Sequence, residues 1–150
     1  MSRLEVGTCL PPLTIPVTAR LVVAGAIASR DFQDVHHDYA GAQAAGAPDI
    51  FMNILTSNGL VGRYVTDWAG PAARLTSIDI RLGVPNRPGA ILEMTGSVTA
   101  LDRFTSRATV AVRGRNELGD HVTGAVEVEW PAADFPGTDF PVADSPAATA

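Results

Sequence analysis

Lysine does not occur in this chain of 150 residues, so all eleven basic residues are arginines. Sixteen acidic residues leave a formal net charge of -5. That balance excludes the dense basic face on which nucleic-acid affinity rests. No apolar run approaches the ~18 residues of a membrane span. Glu5, Pro11 and Pro12 interrupt the apolar stretch that a secretory leader requires. Cys9 is the single cysteine, which excludes an internal disulfide and suits a reducing cytoplasm. The Gly-x-Ser-x-Gly elbow of serine hydrolases is missing, as are Gly-rich dinucleotide and phosphate loops.

Hydrophobic residues, by contrast, make up 46% of the chain and charged ones 18%, the balance of one globular domain with its own core. The charge is uneven. Residues 1–115 carry a net +2 and the remainder -7. Pro131, Pro136, Pro141 and Pro146 recur every five residues, with Asp134, Asp139 and Asp144 in step. This texture divides the chain into a domain over 1–130 and a Pro/Asp/Ala-rich tail over 131–150, an extended segment or a strap across a partner.

Four segments have strand grammar: 74–82, where Ile78, Ile80 and Leu82 alternate with polar residues, then 90–101, 106–115 and 121–129. Pro85–Gly89 and Asn116–Asp120 have turn chemistry, so the four strands read as an antiparallel meander. In the last strand Val122, Val126 and Val128 fall on one face, with His121, Thr123, Glu127 and Glu129 on the other. Asn53–Trp68 has helical apolar spacing, an N-cap in Asn53 and a stop at Gly70-Pro71. It holds no charge before Arg63, and Gly59 and Gly62 suit a helix lying tight against a sheet. Residues 39–45 read as a short helix; 18–29 is open between strand and helix. The fold class is therefore α+β, a curved antiparallel sheet around one central helix.

Between these elements lies Arg30-Asp31-Phe32-Gln33-Asp34-Val35-His36-His37-Asp38, three carboxylates and two imidazoles in a chain with three His. A carboxylate and an imidazole that converge can share the two halves of acid–base catalysis. A metal site fits poorly, because adjacent His36 and His37 point apart in an extended segment. Cys9 lacks the basic neighbours of a nucleophile.

Asp31, the five-residue step to His36, Asp38, the Ala-rich stretch and Gly46 resemble the hydratase motif of the MaoC-like family of hotdog-fold enoyl-CoA hydratases. Pro85-Asn86-Arg87-Pro88-Gly89 resembles that family's Pro-x-x-Pro-Gly turn. Gln33-Asp34 stands where the family usually has Asn-Pro, Asn53-Ile54 where it has His-Gly, and Ala90 where an Asp is common. Longer strings, among them Asp49-Ile50-Phe51 and Arg63-Tyr64-Val65-Thr66-Asp67-Trp68, are similar to one subgroup: the small catalytic subunits of heteromeric steroid enoyl-CoA hydratases.

The resemblance implies a hotdog fold and hydration of a steroid acyl-CoA. It implies Asp31 and His36 as the catalytic pair and the backbone N–H of Ile54 as oxyanion donor. Asp38, Asn53 and Asn58 are expected to bind substrate or orient the loop. No metal is implied and no separate cofactor, since coenzyme A is part of the substrate. A larger hotdog partner subunit is implied, in a heterodimer or α2β2 heterotetramer. Arg81, Arg87, Arg113 and Arg115 are candidates to meet the CoA phosphates. A homodimeric short-chain (R)-specific hydratase, an acyl-CoA thioesterase and a non-catalytic scaffold subunit are the alternatives on the same fold.

Overall fold

A computed structural model describes residues 4–136. The elements are β1 (Leu13–Pro16), α1 (Ala19–Ala28), α2 (Tyr39–Ala44), α3 (Ile54–Ala69), β2 (Arg74–Leu82), β3 (Ile91–Asp102), β4 (Arg107–Asn116) and β5 (Gly119–Glu129), with 3-10 turns at Asp34–His36 and Ala132–Asp134. The open segment is thus helix α1: the Thr18 side chain accepts from the Leu21 N–H at 3.0 Å and caps it, and capping outweighs the strand preference of Val22 and Val23. None of the described helices is long and apolar enough to cross a membrane.

All five strands pair antiparallel in the order β1-β3-β4-β5-β2. Only β3-β4-β5 is a meander. β2 does not lie beside β3; it pairs with β5 on the far edge, from Arg74↔Glu129 to Leu82↔Val122. The segment between β2 and β3 therefore crosses the end of the β4–β5 hairpin. Asn116 holds it there, its Nδ2 donating to Pro85 O (3.1 Å) and to Asn86 Oδ1 (3.0 Å). Alternating polarity marks strands but does not choose their neighbours, which is why the chain order misled.

α3 lies against this sheet through Val61, Tyr64 and Val65, all buried with Leu92, Met94, Val98, Val110, Val112, Val122, Val126 and Val128. The two helix glycines divide. A Cβ on Gly62 would come within 3.3 Å of Ile78 Cδ1 and Leu75 Cδ1, whereas one on Gly59 would meet nothing within 4 Å. Only Gly62 serves the close approach.

His121 also departs from its expected outward face. The β4–β5 register shifts between Gly114↔Val122 and Arg115↔Asp120, leaving His121 as the extra residue of a bulge. The bulge turns His121 inward beside Val122, and both are 1% exposed.

Chain order continues past β5 into the core. Trp130 donates from Nε1 to Ala69 O (3.0 Å) and packs edge-on against Trp68 and Phe135. Phe135 is buried, so residues 131–136 turn back onto the domain; the rest of the Pro/Asp-rich segment lies outside the described residues. Phe135→Ala is expected to destabilise the chain by roughly 3 kcal/mol, the low end for a buried Phe. Urea unfolding checks this, with a change within a few tenths of a kcal/mol as the contrary result.

Candidate active site

The site begins where α1 stops. Ser29 Oγ donates back to Gly25 O (2.7 Å), and Arg30 takes a left-handed φ of 57°. For a residue with a Cβ that conformation costs roughly 1–2 kcal/mol. It turns the chain out of the helix so that Asp31 faces the start of α3. Gly25 lets α1 lie close, because a Cβ there would collide with the Thr56 side chain.

Asn53, 1% exposed, joins the pieces. Its Oδ1 accepts from Thr56 N (2.9 Å) and caps α3; its Nδ2 donates to Ser29 Oγ (2.8 Å) and to Asp31 Oδ2 (3.0 Å). The Asn53 hydrogen bond is the main reason the Asp31 carboxyl is held below its ordinary range. Burial opposes it, and the Gln33 N–H and His36 add to it.

The 3-10 turn then brings in His36, 6% exposed, with its Nδ1 2.7 Å from Phe51 O. A carbonyl only accepts, so Nδ1 carries the hydrogen and the neutral ring presents its lone pair at Nε2. Nε2 stands 3.4 Å from Asp31 Oδ2. Two acceptors at that separation do not bond each other; a proton donor set beside them can serve both. Phe51 packs edge-on against the imidazole at 5.1 Å. Backbone bonds fix that segment on both sides, Phe51 N to Val35 O (3.1 Å) and Met52 N to Asn86 O (2.8 Å). The Pro85–Gly89 turn thereby reaches the site through Asn86.

Next to Asn53, the Ile54 N–H opens α3 and finds no acceptor among the described residues. It is a free donor at the positive end of a helix of 16 residues. Around it Ile27, Phe32, Ile54 and Leu55 are all at least half exposed, an apolar rim on a polar centre.

Of the remaining sequence candidates, Asp38 is the N-cap of α2, accepting from Ala40 N at 3.0 Å. The Asn58 side chain makes no hydrogen bond among the described residues. His37 turns away, its Nε2 3.1 Å from Phe32 O. Arg113 is paired with Asp120 at 2.8 Å. Among the described residues no three of His, Cys, Asp and Glu gather as metal ligands do. Sequence reasoning missed Ser29, whose only signal was its place before Arg30-Asp31, and the Phe51 carbonyl, which has no side-chain signature at all.

No family model matches the chain. Its sequence is 53% identical over 123 residues, 82% of this chain and 94% of the relative, to the 3-oxo-4,17-pregnadiene-20-carboxyl-CoA hydratase beta subunit of Mycobacterium tuberculosis. Its structure is similar to that of the ChsH1-ChsH2 complex from Mycobacterium tuberculosis, with a TM-score of 0.81, 51% identity, and coverage of 85% of this chain and 98% of that one. It is also similar to the (R)-hydratase from A. caviae involved in PHA biosynthesis, with a TM-score of 0.75, 26% identity, and coverage of 85% and 98%.

Asn53→Asp keeps an oxygen for the cap but replaces the donor to Asp31 with a second carboxylate. The Asp31 midpoint should then move upward, since its main stabilising bond is lost and a like charge added. In the wild type the depressed carboxyl contributes stability above its unfolded value of about 3.9 that fades as pH falls through the folded value. Carboxyl-carbon NMR titration of both proteins checks the shift; an unmoved Asp31 midpoint is the contrary result.

Proposed function

The chain belongs to the MaoC-like, hotdog-fold enoyl-CoA hydratases, and from that premise we propose that it hydrates a steroid side-chain enoyl-CoA as the catalytic subunit of a heteromeric complex. The observation that carries the reading is the Asp31–His36 pair at 3.4 Å, with the imidazole tautomer set by Phe51 O and the free Ile54 N–H alongside.

Asp31 Oδ2 and His36 Nε2 accept from one water. His36 takes a proton at Nε2 as the water oxygen bonds to the β-carbon and the carbon–carbon π pair moves toward the thioester. Nδ1 keeps its hydrogen on Phe51 O throughout, so the ring does not have to turn. Asp31, whose carboxyl the Asn53 bond holds below its ordinary range, faces the imidazolium that forms. Negative charge reaches the thioester oxygen, where the Ile54 N–H and the α3 dipole receive it. The pair then returns the proton to the α-carbon. The sum is one water added, with both residues restored and no cofactor consumed.

The substrate class comes from the 53% identical relative, which is named for a pregnadiene carboxyl-CoA. The rim of Ile27, Phe32, Ile54 and Leu55 suits a fused-ring substrate and the partner subunit that the ChsH1-ChsH2 similarity suggests. Asp38 and Asn53 are read as positioning groups, Asn58 as facing substrate. Cys9 as a lone free thiol fits a cytoplasmic reaction.

The test is the gain of one water by a steroid enoyl-CoA, followed by mass, with the full chain and its co-expressed partner. Asp31→Asn and His36→Ala should each lower the rate by about 10²–10⁴-fold with assembly intact. Activity that survives both changes rejects the pair. Turnover of a short-chain enoyl-CoA by the lone chain, or thiol release from a saturated acyl-CoA, rejects the substrate or the reaction.

A further inference from the structure

Beneath the site lies a second buried histidine that the reaction described above does not use. His121 Nδ1 is 2.8 Å from Val84 O, so that nitrogen carries the hydrogen and Nε2 accepts. The Ser57 hydroxyl, 2.8 Å from Nε2, is the donor. Ser57 Oγ is also 3.2 Å from Asn53 O, one turn back along α3. Ser57, His121 and Asn53 are each 1% exposed. The hydroxyl hydrogen being committed to His121, the link to Asn53 is the Ser57 backbone N–H, which donates to Asn53 O at 3.2 Å, so that one line runs from the bulge in β5, through the first turn of α3, to Asp31.

We infer that His121 is a positioning residue for the Asp31–His36 pair: a neutral imidazole that ties the start of α3 to β5 and to the β2–β3 crossing, and so sets Asn53 and the Ile54 N–H. Three observations support it. The bulge spends a ladder position to turn this one side chain inward, where an outward residue would serve the sheet better. Both ring nitrogens are used, one on the crossing segment and one on α3, and the Gly83 N–H and Val84 N–H bind back to His121 O (2.8 Å) and Asp120 O (2.9 Å). The line ends on the backbone carbonyl of Asn53, the residue whose side-chain amide holds Asp31. The inference rests on the reading of Asp31 and His36 as the reactive pair.

The groups that face the ring define its pH response. α3 presents Ser57, the crossing segment presents the Val84 carbonyl, and β5's own Asp120 is bonded to Arg113, which projects from β4 as does exposed Arg115. Among the described residues no carboxylate bonds the ring. Burial accordingly pushes the imidazole down from the usual His range, with the Val84 bond opposing. Protonation reverses the Ser57 bond, sends the hydroxyl hydrogen to Asn53 O, and leaves a buried cation without a counter-ion. The unfolded chain takes up that proton first, so stability falls as pH drops below about 6.5.

The experiment compares His121→Phe and His121→Gln in the full chain with its co-expressed partner. Phe keeps the ring and removes both bonds; Gln can donate to Val84 O and accept from Ser57 while never charging. His121→Phe should lower kcat roughly 10- to 100-fold, the scale of a displaced reactive group, with KM nearly constant. His121→Gln should retain kcat near neutral pH and show one proton fewer in the acid limb. Ser57→Ala should add little to His121→Phe, because both cut one link. Wild-type kcat and an unchanged pH profile in a folded His121→Phe complex overturn the inference, as does equal loss in both variants. The Asn53 side-chain amide is followed by ¹⁵N NMR in the same proteins. It should titrate with His121 in the wild type and not in His121→Gln, and this holds even if no enoyl-CoA is hydrated. An amide insensitive to both pH and substitution overturns the inference alone.

Discussion

Asn53 meets two needs with one side chain, and the rest of the site depends on it. The first turn of any helix leaves N–H groups without partners, and a capping side chain typically contributes about 1 kcal/mol. Oδ1 of Asn53 does that for Thr56. An aspartate would cap as well, but it has no hydrogens to give, and Nδ2 of Asn53 supplies two, to Ser29 and Asp31. The amide thus selects itself: it is the short side chain that can close a helix start and also donate to a half-buried carboxylate. Aligning those two tasks puts the Asp31–His36 pair at the positive end of α3, beside the free Ile54 N–H proposed above as the oxyanion donor.

The sheet serves this arrangement by an indirect route. β2 on the far edge forces the 83–90 segment across the end of the β4–β5 hairpin. That crossing is where the Asn86 carbonyl receives Met52 N and the Val84 carbonyl receives His121. A simple four-strand meander would have left neither acceptor beneath the site. The strand order that looked like a detour places two backbone carbonyls where the helix start needs them.

Much of the fold was legible because it rests on local patterns. Asn53 and Gly70 are start and stop signals, and the four long strands alternate plainly, while Thr18 left its segment open between strand and helix. Asp31 and His36 stood out by density and by resemblance. What stayed hidden has a common physical cause: it depends on neighbours that the sequence does not order. Strand adjacency, the bulge that inverts His121, the buried Phe135, and the short strand β1 are settled by packing across the sheet. Backbone groups escaped for another reason. The Phe51 carbonyl fixes the His36 tautomer, and any residue at position 51 would have the same oxygen. Its aromatic ring carries the packing, not the bond.

At one end of the molecule the usual partition is inverted. Asn53, Ser57, His121 and His36 are buried, while Ile27, Phe32, Ile54 and Leu55 lie open. Burying an unpaired amide or hydroxyl costs on the order of 1–3 kcal/mol, so the four polar side chains persist inside only because each is bonded. That requirement makes the centre rigid. The apolar rim has the opposite balance: covering each such side chain returns about 1–2 kcal/mol of the 1.5–3 kcal/mol available from full burial. A chain by itself forgoes that gain. In the proposed reaction the polar interior sets where the proton moves, and the uncovered rim supplies the free energy for whatever closes over it, so the proposed chemistry and recognition are divided between the inside and the outside of the same few residues.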